Sequence, residues 1–252
     1  MTMRYQALCT DYDGTIARHG IVDLPTIDAL ARLRESGRKL IMVTGRELAE
    51  LISVFPRLDL FDLVVAENGA LLYDPATKEQ KPLCEPPLPH FVAALQARGV
   101  DPLSVGRTIV ATREPHEETV LEVIRDLGLE LQVIFNKGAV MILPSGINKA
   151  TGLKAALKEL KLSEHNIVGV GDAENDHAFL GICECAVAVA NALPALRETA
   201  DFVTTATHGP GVTQLIEEML QDDLASREPA RRRRHIELGK HPQAWRPAPS
   251  PR

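Results

Sequence analysis

Short apolar runs rich in Val, Ile and Leu recur along the chain and alternate with amphipathic segments, and this alternation restricts the fold more than any other feature. Runs of this kind are buried on both faces, so they belong in a parallel sheet with helices packed outside it. The sequence therefore predicts a doubly wound, Rossmann-like α/β core. Its first strand is read at residues 5–10. A helix follows from about Pro25, with Ile27, Leu30, Ala31 and Leu33 on its apolar side and Gly37 as its stop. Residues 39–44 form the second strand, a helix runs through Leu48 and Val54, and residues 63–66 form the third. A hairpin at 69–73 is then expected to leave the core.

The texture changes over residues 80–145, which read as helix (88–97), strand (108–112), helix (117–127) and two strands (130–135 and 139–143) joined at Asn136-Lys137-Gly138. Core texture resumes with a helix over 149–160, a strand at 167–171, a helix from Asp176, a strand at 186–189 and a last helix near 212–220. The expected organisation is a core of residues 1–80 and 146–222, interrupted by a small α+β unit at 81–145. A chain of 252 residues, 45% apolar, can bury a core of that size. Residues 223–252 carry eight Arg or Lys against three Asp or Glu, so the net −6 of the whole chain becomes −11 for the rest. This basic, Pro-rich tail has no periodic apolar face and reads as disordered. Its run from Arg231 to Arg234 reads as solvated linker rather than a nucleic-acid contact, with a weak electrostatic partner as the alternative. No stretch approaches the roughly 18 apolar residues of a membrane span, and the first ten residues lack the layout of a secretion signal. The expectation is a cytoplasmic protein. Cys9, Cys84, Cys183 and Cys185 show no metal or redox spacing and read as free thiols.

Three predicted strand ends carry polar residues. Asp11 and Asp13 follow the first strand in Asp11-Tyr12-Asp13-Gly14-Thr15, Thr44 ends the second ahead of Gly45-Arg46, and Asp172 follows Gly171 in Gly171-Asp172-Ala173-Glu174-Asn175-Asp176. In open α/β sheets the carboxyl ends of the strands form the ligand crevice, so these residues are expected to converge. Gathering Asp11, Asp13, Asp172 and Asp176 would be strongly repulsive without a cation between them. Oxygen-only ligands favour Mg2+ as that cation. Lys149, at a helix start, can neutralise the same cluster.

These residues resemble the haloacid dehalogenase superfamily, and within it the Cof-type phosphatases that carry an α/β cap between their second and third motifs. The pattern DxDGT matches residues 11–15, the strand-end Thr matches Thr44, the Lys matches Lys149, and GDxxND matches residues 171–176. The resemblance covers about residues 4–220. It implies a nucleophilic Asp11 that forms an aspartyl-phosphate, with Asp13 as the acid and base. It also implies a metal site made of the Asp11 carboxylate, the Asp13 carbonyl and Asp172, with Asp176 bonding metal-bound water or Lys149. Thr44 and Lys149 would hold phosphoryl oxygens. The implied activity is hydrolysis of a small phosphorylated metabolite, of the sugar phosphate or phosphoglycolate type, beneath the cap.

Candidate substrate contacts are Gly45, Arg46, Asn68, Lys137 and Asn175. Each has a plainer reading. Arg46 fits a surface arginine near a helix start, Asn68 a turn residue before the hairpin, and Asn136-Lys137-Gly138 has the composition of a turn, which is the favoured reading there. The histidines are scattered without metal spacing. Two rival functions are a receiver-like phospho-acceptor domain, which the length and the insert oppose, and a phosphatase tethered to a larger assembly through the basic tail.

Overall fold

The computed structural model describes residues 3–227. Before the insert the chain forms β1 (Ala7–Thr10), α1 (Leu24–Glu35), β2 (Lys39–Val43), α2 (Leu48–Val54), β3 (Leu63–Ala66), β4 (Leu71–Tyr73) and β5 (Gln80–Pro82). The insert comprises α3 (Pro89–Ala97), β6 (Ser104–Val105), β7 (Val110–Arg113), α4 (Glu117–Asp126), β8 (Leu131–Asn136) and β9 (Ala139–Pro144). The remainder is α5 (Lys149–Leu160), β10 (Ile167–Gly171), α6 (Asp176–Leu180), β11 (Cys185–Ala188), α7 (Pro194–Thr199), β12 (Phe202–Val203) and α8 (His208–Asp222).

Among the described residues the strands make two sheets. The larger has the order β12-β11-β10-β1-β2-β3-β4-β5, parallel from β12 to β3 and antiparallel at β4 and β5. Its central strands are buried along their length, apart from the first residue of β2, Lys39. Leu8, Ile41, Val65, Val168 and Val187 are fully enclosed, and each such side chain contributes about 1.5–3 kcal/mol. From β1 the chain fills β2 and β3 on one side, and only later β10 to β12 on the other. The switch between β1 and β10 opens a crevice at their carboxyl ends. Thr10 lies level with both Met42 and Val170, so the residues after β1, β2 and β10 emerge at one edge.

Local chemistry fixes the helix starts that matter. Asp23 caps α1 by accepting from the Thr26 amide at 2.8 Å, with Pro25 in the first turn. Asn148 caps α5, accepting from the Ala150 and Thr151 amides while its own amide donates to the Thr151 hydroxyl. That reciprocal cap makes Lys149 the first residue of α5.

The insert folds as an antiparallel sheet, β6-β7-β9-β8. Phe91, Leu95, Val120 and Val123 of α3 and α4 cover one face, against Val110, Val140 and Ile142. Strand alternation puts Ile109, Met141 and Leu143 on the opposite face, where they pack with Ala70 of the core. The insert is thus a cap that turns its uncovered face to the core.

Several features depart from the expectations. The chain does not leave the main sheet after Tyr73 but returns as the edge strand β5. Gln80, Lys81 and Pro82 are all exposed, so no apolar alternation marks them. Strands β6 and β12, of two residues each, are too short to show a period. Residues expected to begin the tail are packed on the core. Leu224 is fully buried, and Asp223 accepts from the Arg38 guanidinium at 3.0 Å. Of the tail expected at 223–252, residues 228–252, with the run from Arg231 to Arg234, lie outside the described residues. No helix among the described residues is long and apolar enough to cross a membrane. All four cysteines are free.

Candidate active site

Asp11 leaves the end of β1 and is 4% exposed. Lys149, 1% exposed, donates to Asp11 Oδ1 at 2.5 Å and to Asp176 Oδ1 at 2.6 Å. The other Asp176 oxygen accepts from the amides of Asp172 and Ala173 at 2.8 and 2.9 Å, which closes the loop after β10 upon itself. Asp172 is wholly buried; one oxygen accepts from the Thr15 hydroxyl at 2.9 Å and the other from the Lys137 ammonium. Gly14 makes this approach possible. Its φ of 86° suits glycine, and an added Cβ would collide with the Asp172 carboxylate and the Lys137 ammonium.

Asp11, Asp172 and Asp176 offer ligand oxygens that all lie within 4.8 Å of one another. This all-oxygen set fits a hard divalent cation. Electrostatics agree with that need. Burial pushes the Asp11 carboxyl well above its ordinary range; Lys149 opposes the shift, and Asp176 and Asp172 add to it. Asp172 is raised as well, by burial first, against the hydrogen bond from Lys137. Burial alone would lower Lys149, but Asp11 and Asp176 outweigh it and its pKa ends raised. Three enclosed carboxylates beside two ammonium groups leave an excess negative charge.

The structure corrects the fourth member of the expected cluster. The Asp13 carboxylate does not join the other three. It turns outward and is clasped by Arg46, with Nε at 2.6 Å and Nη2 at 2.8 Å. The Asp13 carboxylate, held this way, is not one of the three that cluster. The same clasp engages Arg46, which also bonds Glu50 at 2.5 Å, lies over the Tyr12 ring and lines the cavity described below.

Thr44 is buried, and its hydroxyl accepts from the Arg46 amide at 3.1 Å. Asn68 and Asn175 are joined by a 2.9 Å hydrogen bond, leaving Asn68 Nδ2 and Asn175 Oδ1 without partners among the described residues. Both lie beside Gly45, where an added Cβ would meet Asn175, Asn68 and the Met141 sulfur of the cap. Lys137 takes the turn reading and adds an ion pair that neither reading named. Its φ of 48° belongs to the turn between β8 and β9, and its side chain spans the gap to Asp172.

A cavity of about 410 Å³ separates core from cap. Asp11, Asp13 and Arg46 line it from below. From above come Ala111, Arg113, Asn136, Lys137 and Ala139. Sequence reasoning missed Arg113 and Asn136. Arg113 makes no ion pair among the described residues, and Asn136 Oδ1 is buried without a partner. The register pairs Arg113 with Ala139 and Ala139 with Asn136, so the three share one rim. Their signal was faint: Arg113 falls one residue beyond the strand expected at 108–112, and Asn136 lay in a motif with turn composition.

A family model described as haloacid dehalogenase-like hydrolase matches residues 8–107 and 100–216. A phosphoglycolate phosphatase of Methanothermobacter thermautotrophicus is 33% identical over 220 residues, covering 84% of this chain and 97% of that one. Phosphoglycolate phosphatase 2 of Saccharolobus solfataricus is 28% identical over 86% of this chain and 93% of its own. Among solved structures, a haloacid dehalogenase-like hydrolase from Bacteroides thetaiotaomicron superposes with a TM-score of 0.71 at 18% identity, covering 85% and 99% of the two chains. The sucrose-phosphatase of Synechocystis gives 0.66 at 21% identity, over 86% and 98%. These matches span the main sheet and the cap together, which a receiver domain would not do. The chain belongs to the haloacid dehalogenase-like hydrolases and is a phosphatase of that family.

Proposed function

We propose that this phosphatase hydrolyses a small phosphomonoester with a carboxylate on its leaving group, of the phosphoglycolate type, with Mg2+ as its metal. The observation that carries the reading is Asp11 at the cavity floor. Lys149 holds one of its oxygens, and no hydrogen bond among the described residues reaches the other. Asp11 forms an O–P bond as the ester P–O bond breaks. Water then attacks phosphorus and releases phosphate and the Asp11 carboxylate. Asp13, at the rim, supplies the proton to the leaving oxygen and takes one from the water. Arg46 orients Asp13 between these steps. Lys149 and Thr44 hold the phosphoryl oxygens that stay behind. Asp11, Asp172 and the Asp13 main-chain carbonyl would hold the metal, with Asp176 fixing the loop and Lys149. A metal held there would neutralise charge on the phosphoryl group.

The cap supports the choice of leaving group. Arg113, without an ion pair among the described residues, offers a guanidinium suited to a carboxylate, and Ala111 and Ala139 leave a small space between them. The comparison of phosphoglycolate with ethyl phosphate tests this. Phosphoglycolate is expected to be the better substrate by about 100-fold in kcat/KM, and Arg113→Ala to erase most of that ratio, as the loss of a charge-assisted pair should. A wild-type ratio near one would refute the carboxylate reading. Full turnover by Asp11→Asn would refute the nucleophile.

A further inference from the structure

Glu67 follows β3 at a φ of 51°, is 2% exposed, and is absent from the lining of the catalytic cavity. Its carboxylate leaves the core and enters the cap. Oε1 accepts from the Arg107 amide at 3.0 Å. Oε2 accepts from the Thr108 amide at 2.6 Å, the Thr108 hydroxyl at 2.7 Å and the Ile109 amide at 3.1 Å. Gly106 gives the carboxylate room, since an added Cβ there would come within 3.0 Å of it. The turn between β6 and β7 thus wraps a core carboxylate in three successive amides, the arrangement of an anion nest. No cation pairs with Glu67 among the described residues.

The choice of residue is informative. Apolar packing would hold cap to core whether or not the two were in register, whereas an enclosed carboxylate is satisfied only when seated and is otherwise better in water. The contact therefore specifies one docked position and releases cleanly. The turn at Glu67–Gly69 also touches the chemistry. The Glu67 amide donates to the Arg46 carbonyl and the Asn68 amide to the Thr44 carbonyl. Asn68 bonds Asn175, and Gly69 (φ 105°) lies so close to Asn148 that an added Cβ would overlap its carbonyl. One short turn joins the cap to the Thr44 loop, the Asp172–Asp176 loop and the start of the Lys149 helix.

We infer that Glu67 is a positioning residue that seats the cap, placing the β7 wall of Ile109, Ala111 and Arg113 over Asp11 by docking in the 107–109 nest. It acts through those residues and does not touch substrate.

Amide hydrogen exchange on the full-length wild type, Glu67→Gln and Thr108→Val tests the inference without any substrate. The amides of Arg107, Thr108 and Ile109 are expected to exchange about 100-fold faster in Glu67→Gln and about tenfold faster in Thr108→Val, with β1, β10 and α5 within about twofold of wild type. Turnover gives the second readout. Glu67→Gln is expected to raise KM for phosphoglycolate about tenfold and to change kcat less than threefold, because ground-state placement is lost and the reacting groups are intact. Unchanged exchange at 107–109 in both variants overturns the inference. So does acceleration spread equally over β1 and β10, which would make Glu67 a general stabiliser. If Glu67→Gln does not fold, Thr108→Val alone decides. A wild type inactive on phosphoglycolate would refute the substrate reading, while the exchange data would still decide on Glu67.

Discussion

The Lys137 ammonium sits on an oxygen of Asp172, one of the clustered carboxylates proposed to hold the cation, and this makes replacement of Lys137 by Met a quantitative test of that proposal. The pair is asymmetric: Asp172 is 0% exposed and Lys137 44%. With one partner largely in water, such an ion pair is worth about 1 kcal/mol rather than the several of a fully enclosed one. The bond must be given up when the oxygen turns to a metal. Removing the competitor is therefore expected to tighten Mg2+ binding by about 1 kcal/mol, or about fivefold. Lys137→Arg keeps the charge and is expected to stay within about twofold of wild type. Calorimetric titration of the metal-free protein at low ionic strength gives both dissociation constants. Unchanged or weaker Mg2+ binding by Lys137→Met would refute the reasoning, because it would mean that the ammonium and the cation do not share Asp172.

Lys149→Met leaves the enclosed carboxylates of Asp11 and Asp176 uncompensated, and is expected to cost the metal-free protein about 3–5 kcal/mol, read by urea unfolding and partly restored by Mg2+. Gly69→Ala sets a Cβ against the Asn148 carbonyl at a backbone angle that favours glycine, and is expected to cost about 2–4 kcal/mol in the same assay. Burial raises Asp11 from 3.8 to about 8, against the pull of Lys149. Between those values the folded metal-free protein keeps a proton that the unfolded chain has lost, so this group's contribution is fully present below about pH 4 and falls as pH rises toward 8. Melting curves in EDTA at several pH values read it as the stability of wild type relative to Asp11→Asn, which is expected to fall as pH rises from about 4 to about 8, and a relative stability that rises over that range would refute it. Since a metal must bind the unprotonated carboxylate, Mg2+ binding near neutral pH is expected to release a proton, measurable by calorimetry in buffers of different ionisation enthalpy.

The core and its chemistry were legible because both rest on local signals. Strands enclosed on two faces read as unbroken Val, Ile and Leu runs, and the residue after such a run must emerge at the sheet's edge. That is why Asp11, Thr44 and Asp172 are expected at one edge, and the apolar periodicity from Lys149 onward puts that residue at a helix start. The edge strand β5 was not legible, since its three exposed residues have no period. Nor was the fate of Asp13, because a two-residue spacing says that two carboxylates share a turn but not that Arg46 will draw one of them away.

Lys137 and Asp172 are 35 residues apart, and Glu67 and Thr108 are 41. The sequence by itself determined which residues are buried, where strands end, and hence which acids meet at β1 and β10. Only the tertiary structure decided how the cap sits, and with it the roles of Glu67, Arg113 and Lys137. Periodicity reports burial along one element, whereas the end point of a long polar side chain depends on which surface is docked opposite it.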